Sequence, residues 1–223
     1  MTRHWIRGFL PKGALFLLLI FCFSMPLVAG DTPFGIVIHG GAGAISKARM
    51  TPELEAEYHA TLKEALHAGH SILQRGGTST DAVIAAIVVL EDSPLFNAGK
   101  GAVLTFDGSV ELDASLMDGK TLDAGAVTGI RETKNPILVA RMVMTNSPHV
   151  MLAGPATDRF ARQHGLARVP NDYFITERRR EAWERLKEKE KGNSSDRSDA
   201  SDLWTDNSGF GTVGAVALDR HGN

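Results

Sequence analysis

The sequence predicts an α+β fold built on an antiparallel sheet, and two observations carry that prediction. Apolar runs are joined by two Asp-Gly turn dipeptides, Asp107-Gly108 and Asp118-Gly119, so three strands follow one another as consecutive hairpins. Beside them lie segments with helical periodicity, the longest from Thr51 to about Gln74. Consecutive hairpins argue against a doubly wound parallel sheet. The 223 residues allow one domain with a sizeable core, and a composition 43% hydrophobic and 22% charged is ordinary for a globular chain. The formal net charge of −2, the lack of a basic stripe with aromatics and the lack of zinc-ligand spacing argue against nucleic acid, an anionic membrane surface and zinc as partners.

Residues 1–30 read as a signal peptide. Arg3, Arg7 and Lys12 precede an apolar run from Ala14 to Phe23, and small or helix-breaking residues up to Gly30 follow. That run is short for a membrane span. Cleavage is expected near Ala29-Gly30, with export to the periplasm or medium. Cys22 is the only cysteine and falls inside this segment, so the mature chain is expected to carry no thiol.

Gly35-Ile36-Val37-Ile38-His39 then reads as a short strand entering a glycine cluster, Gly40 to Gly43. The cluster has neither the lysine of a P-loop nor the third glycine of a dinucleotide fingerprint. Thr51 is the expected N-cap of the long helix, and Gly76-Gly77 its stop. Ser79-Thr80-Asp81 starts a second helix through Ala82 to Leu90, apolar nearly all round and therefore buried. Strands are expected over 102–106, 109–117 and 122–130. Pro136 starts a helix ending near Asn146, and weaker periodicity covers Ala156 to His164. Thr176 to Lys191 is a charged helix. Residues 192–208 are polar and read as a flexible linker. An apolar strand, Val213 to Leu218, and a turn, Asp219 to Asn223, come last.

The chemistry centres on Gly211-Thr212. A threonine hydroxyl is a weak nucleophile without an adjacent base. A free α-amine, with a pKa of about 7.7–8.0, is such a base close to neutrality. One residue supplies both groups once the bond before it is cut, and a preceding glycine leaves room for the hydroxyl to reach that carbonyl. Glu91, Asp92, Glu111, Asp113 and Asp118 raise the alternative of a carboxylate-pair hydrolase. Asp107 and Asp118 are accounted for by their turns, and structural roles are favoured for the group. His149, a lone histidine, reads as a structural residue of its turn.

The run Gly211-Thr212-Val213-Gly214-Ala215-Val216-Ala217-Leu218-Asp219 behind a polar linker resembles the self-cleavage site of the plant-type asparaginases, the isoaspartyl peptidase/L-asparaginase family of N-terminal-nucleophile hydrolases. A second stretch, Leu90-Glu91-Asp92-Ser93-Pro94-Leu95-Phe96-Asn97-Ala98-Gly99-Lys100-Gly101, is similar to that family's sodium-binding loop. The hairpin from Glu111 to Gly119, the Asn135 to Met144 helix and Ser147 to Gly154 continue the resemblance, which covers about Phe34 to Asn223. It implies a four-layer αββα sandwich, incomplete in this chain. Residues 31–211 would be the α-subunit part, and residues 212–223 the start of a truncated β-subunit. By the same resemblance Thr212 is the nucleophile after autocleavage at Gly211-Thr212. Backbone carbonyls of Leu90, Glu91, Ser93, Phe96, Ala98 and Lys100 would hold a structural sodium ion, a hard cation suited to oxygen ligands. The strand and His-Gly-Gly loop at 35–41 would lie close to the processing site. No organic cofactor is implied. Substrate-gripping groups are expected beyond residue 223, and the complete protein as an αβ heterodimer pairing into a dimer of heterodimers. The implied activity is hydrolysis of β-aspartyl peptides and L-asparagine. A glycosylasparaginase-like hydrolase and an inactive remnant are the alternatives.

Overall fold

The computed structural model describes residues 32–41, 50–192 and 212–223. Their elements run β1 (Gly35–His39), α1 (Pro52–Gln74), α2 (Ser79–Asp92), β2 (Leu112–Met117), β3 (Ala124–Ile130), α3 (Pro136–Asn146), β4 (Met151–Ala153), α4 (Pro155–Gln163), a 3-10 turn (Asn171–Phe174), α5 (Glu177–Gly192) and β5 (Gly214–Leu218). The fold mixes helices with two small sheets. The expected signal peptide with Cys22 and the Ala29-Gly30 cut, the cluster residues Ala42 and Gly43, the linker from residue 193 on, and Gly211 lie outside the described residues. Among the described residues, no helix is long and apolar enough to cross a membrane.

Local chemistry accounts for the helix starts. Thr51 Oγ1 accepts the N–H of Leu54 at 3.2 Å, with Pro52 in the first turn of α1. α2 starts at Ser79 as expected, and Thr78 is its cap. Its hydroxyl accepts the Asp81 N–H at 3.1 Å and donates to the Asp81 carboxylate at 2.9 Å. The two helices cross at Gly69, where a Cβ would come within 2.8 Å of the Ala82 carbonyl and strike Ile36. Glycine there lets α1, α2 and β1 meet backbone to side chain.

β1 pairs antiparallel with β5, from Gly35 opposite Leu218 to His39 opposite Gly214. The second sheet has the order β2-β3-β4, with β2 and β3 antiparallel. β4 lies parallel to β3, Ala126 opposite Met151 and Thr128 opposite Ala153. The sheet is therefore mixed, where the hairpins had predicted an antiparallel one. The difference is β4, whose three residues read as a turn, and which reaches β3 by the crossover through α3.

Two further expectations are corrected. Residues 102–106 form no strand, because their neighbourhood spends its N–H groups elsewhere. Gly101 donates to the Phe174 carbonyl at 2.8 Å, Val103 to Asn97 Oδ1 at 2.8 Å, and Val110 to Asn171 Oδ1 at 2.9 Å. The Asp107-Gly108 turn survives as a closed turn, with Thr105 N–H donating to the Ser109 carbonyl at 2.7 Å. The second turn is a loop from Asp118 to Asp123, and Asp118 Oδ1 accepts the N–H groups of Lys120 and Thr121 at 2.8 and 3.0 Å. Leu122 sits in that loop at φ 64°, so the third strand starts at Ala124.

The core lies where α3 covers β2 and β3. Gly125 lets α3 ride on the sheet, since a Cβ there would run into the Ala140 carbonyl. Leu90, Val110, Val127, Ile130, Val139, Val143 and Phe174 are buried completely or nearly so. The other side of the β1–β5 ribbon is open: Val37 and Val216, cross-strand partners, are 73% and 75% exposed.

Candidate active site

Thr212 and Val213 lead into β5, and Thr212 is exposed. His39 opposite Gly214 sets the register at this end of the ribbon. The chain after His39 turns away tightly: Gly41 has φ 115°, and a Cβ on Gly40 would press on Leu62 and the Phe96 ring at 3.1 Å. A cavity of about 720 Å³ opens beside Thr212. Thr212 to Ala215 line it, with Asn97, Ala98 and Gly99, Glu91, and the β2–β3 residues Asp113, Ser115 and Thr128. The two sequence runs that carried the resemblance, more than 100 residues apart in the chain, thus share one cavity.

The loop from Ser93 to Gly101 is shaped by missing and redirected donors. Pro94 has no N–H to offer the Leu90 carbonyl. Leu95 N–H turns to Ser93 Oγ at 3.3 Å. The Glu91 carbonyl is met by Lys100 N–H at 2.7 Å. Gly99, at φ 46°, passes so close to Glu91 that a Cβ would collide with its carbonyl. At Gly101, φ 100°, a Cβ would lie 2.6 Å from the Pro94 carbonyl and 2.9 Å from that of Phe96. Carbonyl oxygens converge here at the negative end of α2, which carries no basic residue in its last turn. Such a setting suits a hard cation. The Glu91 carbonyl has one lone pair already engaged by the Lys100 N–H.

The acidic residues separate cleanly. Asp113 Oδ1 accepts the Thr128 hydroxyl at 2.6 Å and the Gly129 N–H at 3.0 Å. Asp118 is held below the usual carboxylate range by the N–H groups of its loop. Asp92 bonds Lys134 Nζ at 2.8 Å and Asn135 Nδ2 at 3.1 Å. Glu111 lies 3.8 Å from Arg131. These are structural roles, as the sequence reading favoured. Glu91 differs. Its side chain is buried, Oε1 accepts the Ile137 N–H at 3.0 Å, and Oε2 has no partner. Burial pushes this carboxyl up to about 8. His149 donates its backbone N–H to Ser147 Oγ at 3.1 Å within its turn.

Asp219 was missed as anything beyond a turn residue. It is buried, and its Oδ2 accepts the Ser79 N–H at 3.2 Å. Its Oδ1 accepts those of His221 and Asn223 at 2.9 and 3.2 Å. Burial opposes its charge, yet the N–H donors outweigh it and hold the carboxyl below its ordinary value. The side chain thereby ties the end of β5, and with it Thr212, to the start of α2.

Residues 32–223 match the family model described as asparaginase, and the chain belongs to that family. It is 44% identical over 189 residues to isoaspartyl peptidase/L-asparaginase of Xenopus laevis, covering 84% of this chain and 56% of that protein. It is 45% identical over 196 residues to isoaspartyl peptidase of Salmonella typhimurium (84% and 59%). With isoaspartyl peptidase of Escherichia coli the identity is 44% over 188 residues (84% and 58%). The chain thus spans less than two thirds of the length of these relatives.

Proposed function

We propose that this chain is the Thr212-bearing part of an amidohydrolase that cleaves β-aspartyl peptides and L-asparagine. The observation that carries the reading is the single cavity shared by Thr212 and the loop at Asn97 to Gly99. The names of the relatives supply the substrate class.

In this reading the Thr212 hydroxyl first attacks the Gly211 carbonyl. The C–N bond breaks as the acyl group passes to Oγ and the proton to the nitrogen. Water then hydrolyses that ester, leaving a Gly211 carboxylate and a Thr212 with free α-amine and hydroxyl. The amine then takes the hydroxyl proton as Oγ attacks the side-chain carbonyl of the substrate. The amide C–N bond breaks, the proton passes to the departing ammonia or peptide amine, and an ester to Thr212 remains. Water attacks the ester, releases aspartate and returns the proton to Oγ. The groups that grip the α-carboxylate and α-amine would belong to the part of the relatives this chain does not span. That part would also cover the open face at Val37 and Val216, complete the four layers and form the αβ heterodimer. Sodium in the Leu90–Lys100 loop would fix the wall of the cavity, and residues 1–30 would direct export.

Intact-mass measurement tests the nucleophile. A chimera continuing from Asn223 with the corresponding remainder of the Salmonella relative is expected to yield a product beginning at Thr212 and to release ammonia from L-asparagine. Thr212→Ala should abolish both, and Thr212→Ser should keep part of both. Cleavage at the same bond in Thr212→Ala would overturn the assignment.

A further inference from the structure

We infer that α5 clamps the carbonyl-rich loop from outside, with Arg178 and Arg179 as positioning residues for that wall of the cavity. The two guanidinium groups, on consecutive residues in the first turn of α5, fasten both ends of the loop. At its start, Arg178 Nη2 donates to the Leu95 carbonyl at 2.9 Å and to that of Pro94 at 3.4 Å. Arg178 Nη1 also donates to Tyr58 Oη at 3.2 Å, and Tyr58 donates to the same Leu95 carbonyl at 2.9 Å. The Tyr58 ring stands edge-on to buried Phe96, with centroids 5.5 Å apart. At the end of the loop, Arg179 Nε donates to the Gly101 carbonyl at 2.6 Å, while Gly101 N–H is held by Phe174, three residues before α5. Charge-assisted bonds of this kind are among the stronger ones available to a backbone carbonyl.

The partition of carbonyls gives the clamp its meaning. Those of Pro94, Leu95 and Gly101 are taken by cations of α5. None of the three belongs to the set that would face the sodium ion. Guanidinium groups outside and a metal cation inside would divide one loop between them, and the loop stays folded only while its outer carbonyls are engaged. Farther along α5, Trp183 Nε1 donates to the Phe106 carbonyl at 3.3 Å, and the Lys187 ammonium lies over the Phe106 ring. The helix that precedes the processing segment is therefore seated on the loop that faces Thr212. A cut after Gly211 breaks none of these contacts.

The sodium part of this inference rests on the ion reading proposed above; the clamp itself does not. The test uses the full chain, with Arg178→Met/Arg179→Met, Arg179→Lys, and Arg180→Met as a matched control on an exposed residue. Hydrogen exchange of residues 95–103 and the melting temperature in NaCl against choline chloride are both read. Losing the three charge-assisted bonds to loop carbonyls is expected to speed loop exchange at least about tenfold in the double variant, with α1 and β3 unchanged. Arg179→Lys should recover part of the protection, and Arg180→Met should match the parent. The NaCl midpoint of the double variant should rise about tenfold. Unchanged loop exchange in the double variant would overturn the clamp, whatever sodium does. Faster exchange with no sodium dependence in the parent would uphold the clamp and reject the ion reading. If the double variant fails to fold, single Arg178→Met carries the same exchange test at the Pro94–Leu95 end.

Discussion

At the N-terminal end of α2 every charge has its answer. Thr78 and Asp81 cap each other, and Asp219 reaches in from the end of β5 to take the Ser79 N–H. Arg141 pairs with the other side of Asp81 at 2.7 Å. The C-terminal end of the same helix is answered only in part, by Lys134 on Asp92. Two acidic residues, Glu91 and Asp92, stand where the helix dipole is already negative, no basic residue follows in the last turn, and Pro94 withholds a donor. The contrast lies in depth as well as in donors. Both side chains have little exposed surface, but Glu91 is set deeper and burial lifts its carboxyl despite the Ile137 N–H and the Asn135 side chain, while donors from Ser79, His221 and Asn223 hold Asp219 below its ordinary value.

Asp219→Ala is the change that breaks this comparison hardest. It leaves three N–H groups without their acceptor and should cost about 2–4 kcal/mol in urea unfolding, with looser hydrogen exchange at Ser79 and through β5. Because its carboxyl is held below 3.8 in the folded chain, its contribution is present above that value and is lost as pH falls below it. Asp219→Asn should therefore lose less stability below pH 3.8 than the parent does.

Glu91→Gln sharpens the comparison. The amide keeps an acceptor for Ile137 and adds no charge, so at pH 6 stability should change by less than about 1.5 kcal/mol. Here the pH trend has the opposite sign. The folded value is raised to about 8 from 4.5, so the folded chain holds a proton the unfolded chain has lost, and stability falls as pH climbs through that window. Glu91→Gln should flatten the slope between pH 5 and 8, and an unchanged slope would count against the raised value. Asp92→Ala is the smallest of the three. Its pair with Lys134 is about one third exposed on each side and contributes about 0.5–1 kcal/mol, screened by salt.

What could be read from the chain without coordinates follows the range of the interactions. The cap at Thr51, Pro136 at the head of α3, the Asp107-Gly108 turn and the apolar run of β5 are local chemistry, and each lies within a residue or two of its expected place. Both runs that line the cavity were picked out by their resemblance to the asparaginase family rather than by local chemistry. The failures are long-range. Residues 102–106 looked like a strand until Asn97 and Phe174 took the neighbouring donors, and β4 is a strand only because β3 offers it an edge. Leu122 is a loop residue because the Asp118 carboxylate winds the turn into a positive φ that leucine rarely adopts. The Asp219–Ser79 bond spans 140 positions, and no spacing rule announces it.

The pairing of β1 with β5 also has a consequence in time. Ile36 lies opposite Ala217, roughly 180 residues further along the chain. At about 5–20 residues per second, a ribosome needs roughly 10–40 s to deliver the partner after the first strand has emerged. During that interval the earliest apolar segment of the described domain has only α1 and α2 to lean on. Yield in the cell should therefore depend on translation speed and on whatever shields a nascent chain, quite apart from how stable the finished molecule is.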